Sequence, residues 1–76
     1  LKVITPDGTL LDCRVWKATL PGTAGQFTVL SHHAPLISSL EEGDVLYAED
    51  ENVQSLHILG GFVRVSGNVV TVCAEV

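Results

Sequence analysis

Residues that turn a chain recur about every eight to twelve positions along this sequence, and alternating runs rich in Val, Ile and Leu fill the gaps between them. Nowhere do apolar residues hold a period of about 3.6 over three turns, so no long helix is expected. A chain of 76 residues built this way has one solution open to it: short strands folded back on one another around a single core, as in a sandwich or barrel.

The runs can be assigned one by one. Leu1 to Thr5 reads as a first strand, ended by Pro6-Asp7-Gly8. Thr9 to Leu20 reads as a second, with Leu11, Cys13 and Val15 on one face and Asp12 and Arg14 on the other. Pro21 to Gly25 breaks the pattern; Gln26 to Leu30 resumes it with Phe27 and Val29 pointing together. After Ser31-His32-His33-Ala34-Pro35 come Leu36 to Leu40, the turn Glu41-Glu42-Gly43-Asp44, Val45 to Ala48, and an acidic turn at Glu49-Asp50-Glu51-Asn52. Val53 to Leu59 pairs back across that turn and leaves through a bend or bulge at Gly60-Gly61. Phe62 to Ser66 and Val69 to Val76 flank Gly67-Asn68, a link suited to a tight hairpin. One domain, 1–76, with no internal repeat is expected.

Charge removes some functions. The net charge is −5, and the four bases Lys2, Arg14, Lys17 and Arg64 are scattered. A nucleic-acid binder needs clustered bases to displace counterions from phosphates, so that role is not supported, and anionic membranes are disfavoured too. No run approaches the roughly 18 apolar residues of a membrane span and no basic-then-apolar leader appears, so a soluble chain is expected. Cys13 and Cys73 form no Cys-x-x-Cys and read as small buried hydrophobes, with a single bridge between them left open.

The residues that could carry chemistry are few. His32 and His33 are adjacent, so on an extended chain they point to opposite faces and do not share a metal; with His57 the imidazoles number three, short of a closed zinc site. His57 lies inside a strand and reads as a satisfied or edge histidine. Ser31 beside His32 lacks a nucleophile elbow, and sequence neighbours rarely meet in triad geometry. Glu41, Glu42 and Asp44 surround a glycine as any exposed turn does. Gly22-x-x-Gly25 has neither the following Lys-Ser/Thr nor the helix a phosphate cradle needs. Trp16 reads equally as a core filler or as an interface anchor. No catalytic, cofactor or metal residues are assigned, which points to binding.

The order of motifs carries a resemblance. Thr5-Pro6-Asp7-Gly8, Pro21-Gly22-x-x-Gly25-x-Phe27-x-Val29-Leu30, His33-Ala34-Pro35-Leu36, Leu40-x-x-Gly43, Gly60-Gly61-Phe62-Val63-x-Val65 and Asn68-Val69-Val70-Thr71-Val72-x-Ala74-Glu75 together resemble the N-terminal domain of the epsilon subunit of F-type ATP synthase. The resemblance implies an all-β, flattened sandwich of two sheets with about ten short strands, which agrees with the turn rhythm. It implies a non-catalytic rotor subunit of the central stalk, docked between the gamma subunit and the c-ring and helping to couple proton flow to ATP synthesis. The implied location is the cytoplasmic face of a bacterial inner membrane, peripheral and held there through the complex.

Carried over by position, Gly22, Gly25, Gln26, Phe27, Ser31, His32, His33, Ala34 and Pro35 look like the edge facing the c-ring and the base of gamma. Many relatives carry an acid where this chain has Gln26, so hydrogen bonding is expected to replace charge pairing there. Thr28, Ser31 and His32 depart as well from the Gly-Ile-Leu-Pro-Gly-His that relatives often show. Relatives commonly continue into a two-helix domain that restrains hydrolysis and in some members binds ATP; this sequence stops at Val76, so neither an inhibitory arm nor nucleotide binding is expected. The competing readings are a free-standing binding sandwich and a metal-dependent enzyme using His32, His33 and His57.

Overall fold

The computed structural model describes residues 1–30 and 34–76. Among them nine strands form: β1 Lys2–Thr5, β2 Gly8–Asp12, β3 Lys17–Gly22, β4 Gly25–Leu30, β5 Leu36–Leu40, β6 Gly43–Glu49, β7 Asn52–Ile58, β8 Gly60–Ser66 and β9 Val69–Glu75. The hydrogen-bonded order is β2-β1-β9-β8-β5-β3-β6-β7, with β4 on the other edge of β3. Every pairing is antiparallel except that of β1 with β9.

The ladder is continuous but curls into two layers. One layer holds β4, β3, β6 and β7, the other β2, β1, β9, β8 and β5, and the seam between them is the single pair Gly22↔Leu40. Leu20, Val29, Val45, Tyr47 and Ile58 face inward from the first layer; Val3, Leu40, Val63, Val65, Val70, Val72 and Ala74 meet them from the second. Alternation along each strand decides this, since successive side chains take opposite faces. The all-β sandwich expected from the turn rhythm is therefore present, as one sheet folded on itself with nine strands among the described residues.

The tight turns fall where the sequence put them. Ser66↔Val69 closes the Gly67-Asn68 hairpin and Glu49↔Asn52 closes the acidic one. Two local expectations need correction. The run Thr9 to Leu20 is not one strand, because Cys13 to Trp16 lies between β2 and β3. There the chain leaves the edge of one layer to enter the middle of the other: Cys13 is held by Leu1 through N–H···O at 2.9 Å, and the Trp16 N–H already reaches the Ala48 carbonyl at 3.2 Å. The inward set Leu11, Cys13 and Val15 still packs on the core, so the alternation runs unbroken through the crossing. Pro21 and Gly22 also belong to β3, and the turn is only Thr23-Ala24. Pro21 is tolerated where the second edge of β3 passes from β6, paired through Thr19, to β5, paired at Gly22.

Candidate docking surfaces

The β3–β4 hairpin tip collects four of the residues singled out from the sequence. Gly22 and Gly25 pair across Thr23-Ala24, and Gln26 stands opposite Pro21. A Cβ on Gly22 would come within 2.6 Å of the Gly25 carbonyl oxygen and 2.9 Å of the Phe27 ring. Gly22 is thus needed to let Phe27 lie down against the core, and both residues serve the fold. Gly25 and Gln26 are exposed. The tip is fastened to β5 by the Thr23 N–H to the Ser39 carbonyl at 3.1 Å and by the Thr23 and Ser39 hydroxyls at 2.8 Å.

Ser31, His32 and His33 lie outside the described residues. Ala34 and Pro35 are exposed and lead into β5. Since β4 runs from Gly25 to Leu30, about 16 Å of strand separates the hairpin tip from the start of that segment. Gln26 and Pro35 therefore stand at opposite ends of the sandwich rather than side by side.

A surface that the sequence did not single out lies on the other layer. On the outer face of the five-stranded layer the register aligns Ser39, Phe62, Cys73 and Ile4 in one row, and Ile37, Arg64, Thr71 and Lys2 in the next. Ile37 is 75% exposed and Phe62 50%. Cys73 and Ile4, half-buried, continue the row beyond Phe62 and complete an apolar strip beside two of the four bases. The signal was present in β8, where Phe62 is out of phase with the inward Val63 and Val65.

The opposite outer face is different. Trp16, 51% exposed, lies against Leu46 and Val53 and donates its indole N–H to the Asp50 carbonyl at 2.9 Å. It covers the outside of β6, and so belongs to neither the core nor the Ile37–Phe62 strip. On the same face, at the other end of the β6–β7 pair, His57 meets Asp44 (Nδ1···Oδ1, 2.8 Å) and Glu42 (Nε2···Oε2, 3.5 Å). Strand β7 is an edge, so His57 is both satisfied and on an edge, as read from the sequence. The hydrogen bond that its ring N–H donates to Asp44 raises its pKa above the ordinary histidine value, against a smaller opposing effect of desolvation and with further help from Glu42.

Among the described residues no three His, Cys, Asp or Glu side chains are placed to hold a metal, and no helix is long and apolar enough to cross a membrane. Cys13 and Cys73 are free thiols, both half-buried. Burial, then a hydrogen bond to Glu49, pushes the Cys13 thiol up from its usual value.

Closed turns, a fastened tip and an apolar strip flanked by bases define a small β-sandwich of the kind that works through its surfaces. The sequence pattern of the ATP synthase delta/epsilon chain beta-sandwich domain matches residues 1–76, and the chain belongs to that family. It is 41% identical over 75 residues to the ATP synthase epsilon chain of Desulfitobacterium hafniense, covering 99% of this chain and 57% of that one. With the epsilon chain of Thermosynechococcus vestitus it shares 39% identity, covering 95% of this chain and 52% of that one. It thus spans little more than half the length of these relatives. A chain in the Euglena gracilis mitochondrial ATP synthase (OSCP/F1/c-ring) superposes with a TM-score of 0.89 at 22% identity, over 96% of this chain and 48% of that one. One in the central stalk and c-ring of the Tetrahymena thermophila mitochondrial enzyme gives 0.80 at 17%, over 99% and 61%. These two likenesses establish the shared fold.

Proposed function

We propose that this chain is the sandwich domain of a central-stalk rotor subunit in a proton-translocating F-type ATP synthase, where it docks the gamma subunit to the c-ring and performs no chemistry itself. The observation that carries the reading is the family match over the whole chain, with curated relatives named ATP synthase epsilon chain. The geometry supports a division of labour. The exposed strip Ile37, Phe62, Cys73 and Ile4 suits the gamma subunit, because a contiguous apolar patch rimmed by polar groups is what protein partners bury. The tip at Gly25 and Gln26 suits the polar loops of the c-ring, with an amide offering hydrogen bonds in place of charge. Ser31 to Pro35 completes the contact with the base of gamma. A stiff body suits a rotor, because a close-packed core and cross-strand pairing transmit torque with little deformation.

In this reading the chain sits at the cytoplasmic face of a bacterial inner membrane through the complex. The test is co-purification of the tagged subunit with gamma and the c-ring. Gln26→Ala should weaken c-ring capture, and added salt should have little effect on the wild-type contact; a steep salt dependence would instead indicate charge pairing. Failure to retain either partner, with the fold intact by circular dichroism, would favour a free-standing binding sandwich.

A further inference from the structure

The His57 contacts lie at the end of the β6–β7 ladder and reach past it into the turn before β6. Asp44 lies directly across from His57 in the β6–β7 ladder. Glu42 lies before β6, in the turn that carries the chain from β5 in one layer to β6 in the other. That turn is also anchored to β3: the Glu41 N–H donates to the Pro21 carbonyl at 2.9 Å, and a Cβ on Gly43 would stand 2.9 Å from the Pro21 side chain. Pro21 in turn faces Gln26 across the β3–β4 hairpin.

Proton counting shows what titration does here. A neutral imidazole has one N–H, a protonated one has two. At 2.8 Å the Asp44 bond is the shorter, so the neutral ring keeps its proton on Nδ1 and turns the Nε2 lone pair toward the Glu42 carboxylate at 3.5 Å. Protonation converts that facing pair of acceptors into a charge-assisted bond. The groups acting on the ring are Asp44 from β6 and Glu42 from the turn. On the same face the neighbouring strands present uncharged residues, Ser55 on β7, Pro21 on β3 and Gln26 on β4.

We propose that His57 is a pH-sensitive strap: protonated, it ties the β5–β6 crossover turn to edge strand β7; neutral, it releases the turn from β7 and loosens its seat against Pro21 at the base of the β3–β4 tip. The device goes beyond the docking role and stands whatever partner the tip meets. The direction follows from linkage. With the folded pKa raised, the fastening is complete below the ordinary histidine value of about 6.5 and is lost as pH rises through the folded value.

Site-resolved amide hydrogen exchange, corrected for the intrinsic pH dependence of exchange, tests this on the intact chain between about pH 5.5 and 8. Protection of the Glu41 amide should fall roughly two- to fivefold across the His57 titration, the range of an exposed ion pair. Core amides such as Val63 should hold steady. In His57→Gln and in Glu42→Gln the fall at Glu41 should disappear. The strap is refuted if Glu42→Gln keeps the wild-type fall, if wild type is as flat as His57→Gln, or if the core amides lose protection in parallel.

Discussion

Replacing Gly61 by alanine tests the close approach of β8 to β9 most directly. Gly61 stands in β8 between Leu40 of β5 and Ala74 of β9, with φ at 138°, a conformation that L side chains rarely adopt. A Cβ there would fall inside van der Waals contact with the carbonyl oxygen of Cys73. That oxygen belongs to a strand held on both edges, by β1 and β8, and has little freedom to withdraw. Gly8 supplies the control: its φ is 128°, yet nothing lies within 4 Å of an added Cβ. Gly8→Ala therefore carries the backbone strain alone, about 1–2 kcal/mol. Gly61→Ala carries a similar strain plus an overpacking cost of about 1–3 kcal/mol, for a total of about 2–5 kcal/mol. At 0.05–0.15 kcal/mol per residue, a domain of this length has roughly 4–11 kcal/mol to lose. Thermal and urea denaturation followed by circular dichroism should show Gly61→Ala melting roughly 10–30 °C below wild type. If Gly61→Ala comes within about 0.5 kcal/mol of Gly8→Ala, additivity leaves no room for the steric contribution and the close approach to Cys73 is refuted.

Other outcomes follow from single features. Asp50 adopts φ 52° while only its carbonyl serves Trp16, so Asp50→Gly should raise stability by up to about 1 kcal/mol, read from the urea midpoint. Asp44→Asn should lower the His57 pKa toward the ordinary value, read from imidazole NMR shifts against pH; an unchanged midpoint would mean that Asp44 is not its main partner. Ile37→Asp on the five-stranded face should weaken gamma binding roughly tenfold or more in a titration, whereas Val53→Asp, 70% exposed on the opposite face, should leave it unchanged.

How far the sequence spoke depended on whether a feature was local. The Gly67-Asn68 hairpin and the inward set Leu11, Cys13 and Val15 were legible, because turn chemistry and alternation act within a few residues. The break at Cys13 to Trp16 was hidden, since side chains keep alternating while backbone partners change. The Ile37–Phe62 strip was hidden for another reason. An apolar residue on the outer face of a strand looks like core until register shows which neighbours share its side. His57 and Asp44 are 13 positions apart, and only the β6–β7 register makes them partners.

The same reasoning explains why the candidate docking residues divide in two. Gln26 and Pro35 are close in sequence, but the intervening strand β4 carries the chain about 16 Å from one end of the sandwich to the other. If both ends dock, as proposed, a single short partner loop does not reach both, and two partners or one long partner are required. Under the proposed docking role, the exposed strip on the five-stranded layer would add apolar area and the two ends polar specificity. The residues that hold the tip in place, Gly22 under Phe27 and Thr23 on Ser39, are then positioning residues. Changing them should move the tip and weaken contacts there, while leaving binding through Ile37 and Phe62 largely intact. Changing Ile37 or Phe62 should do the reverse.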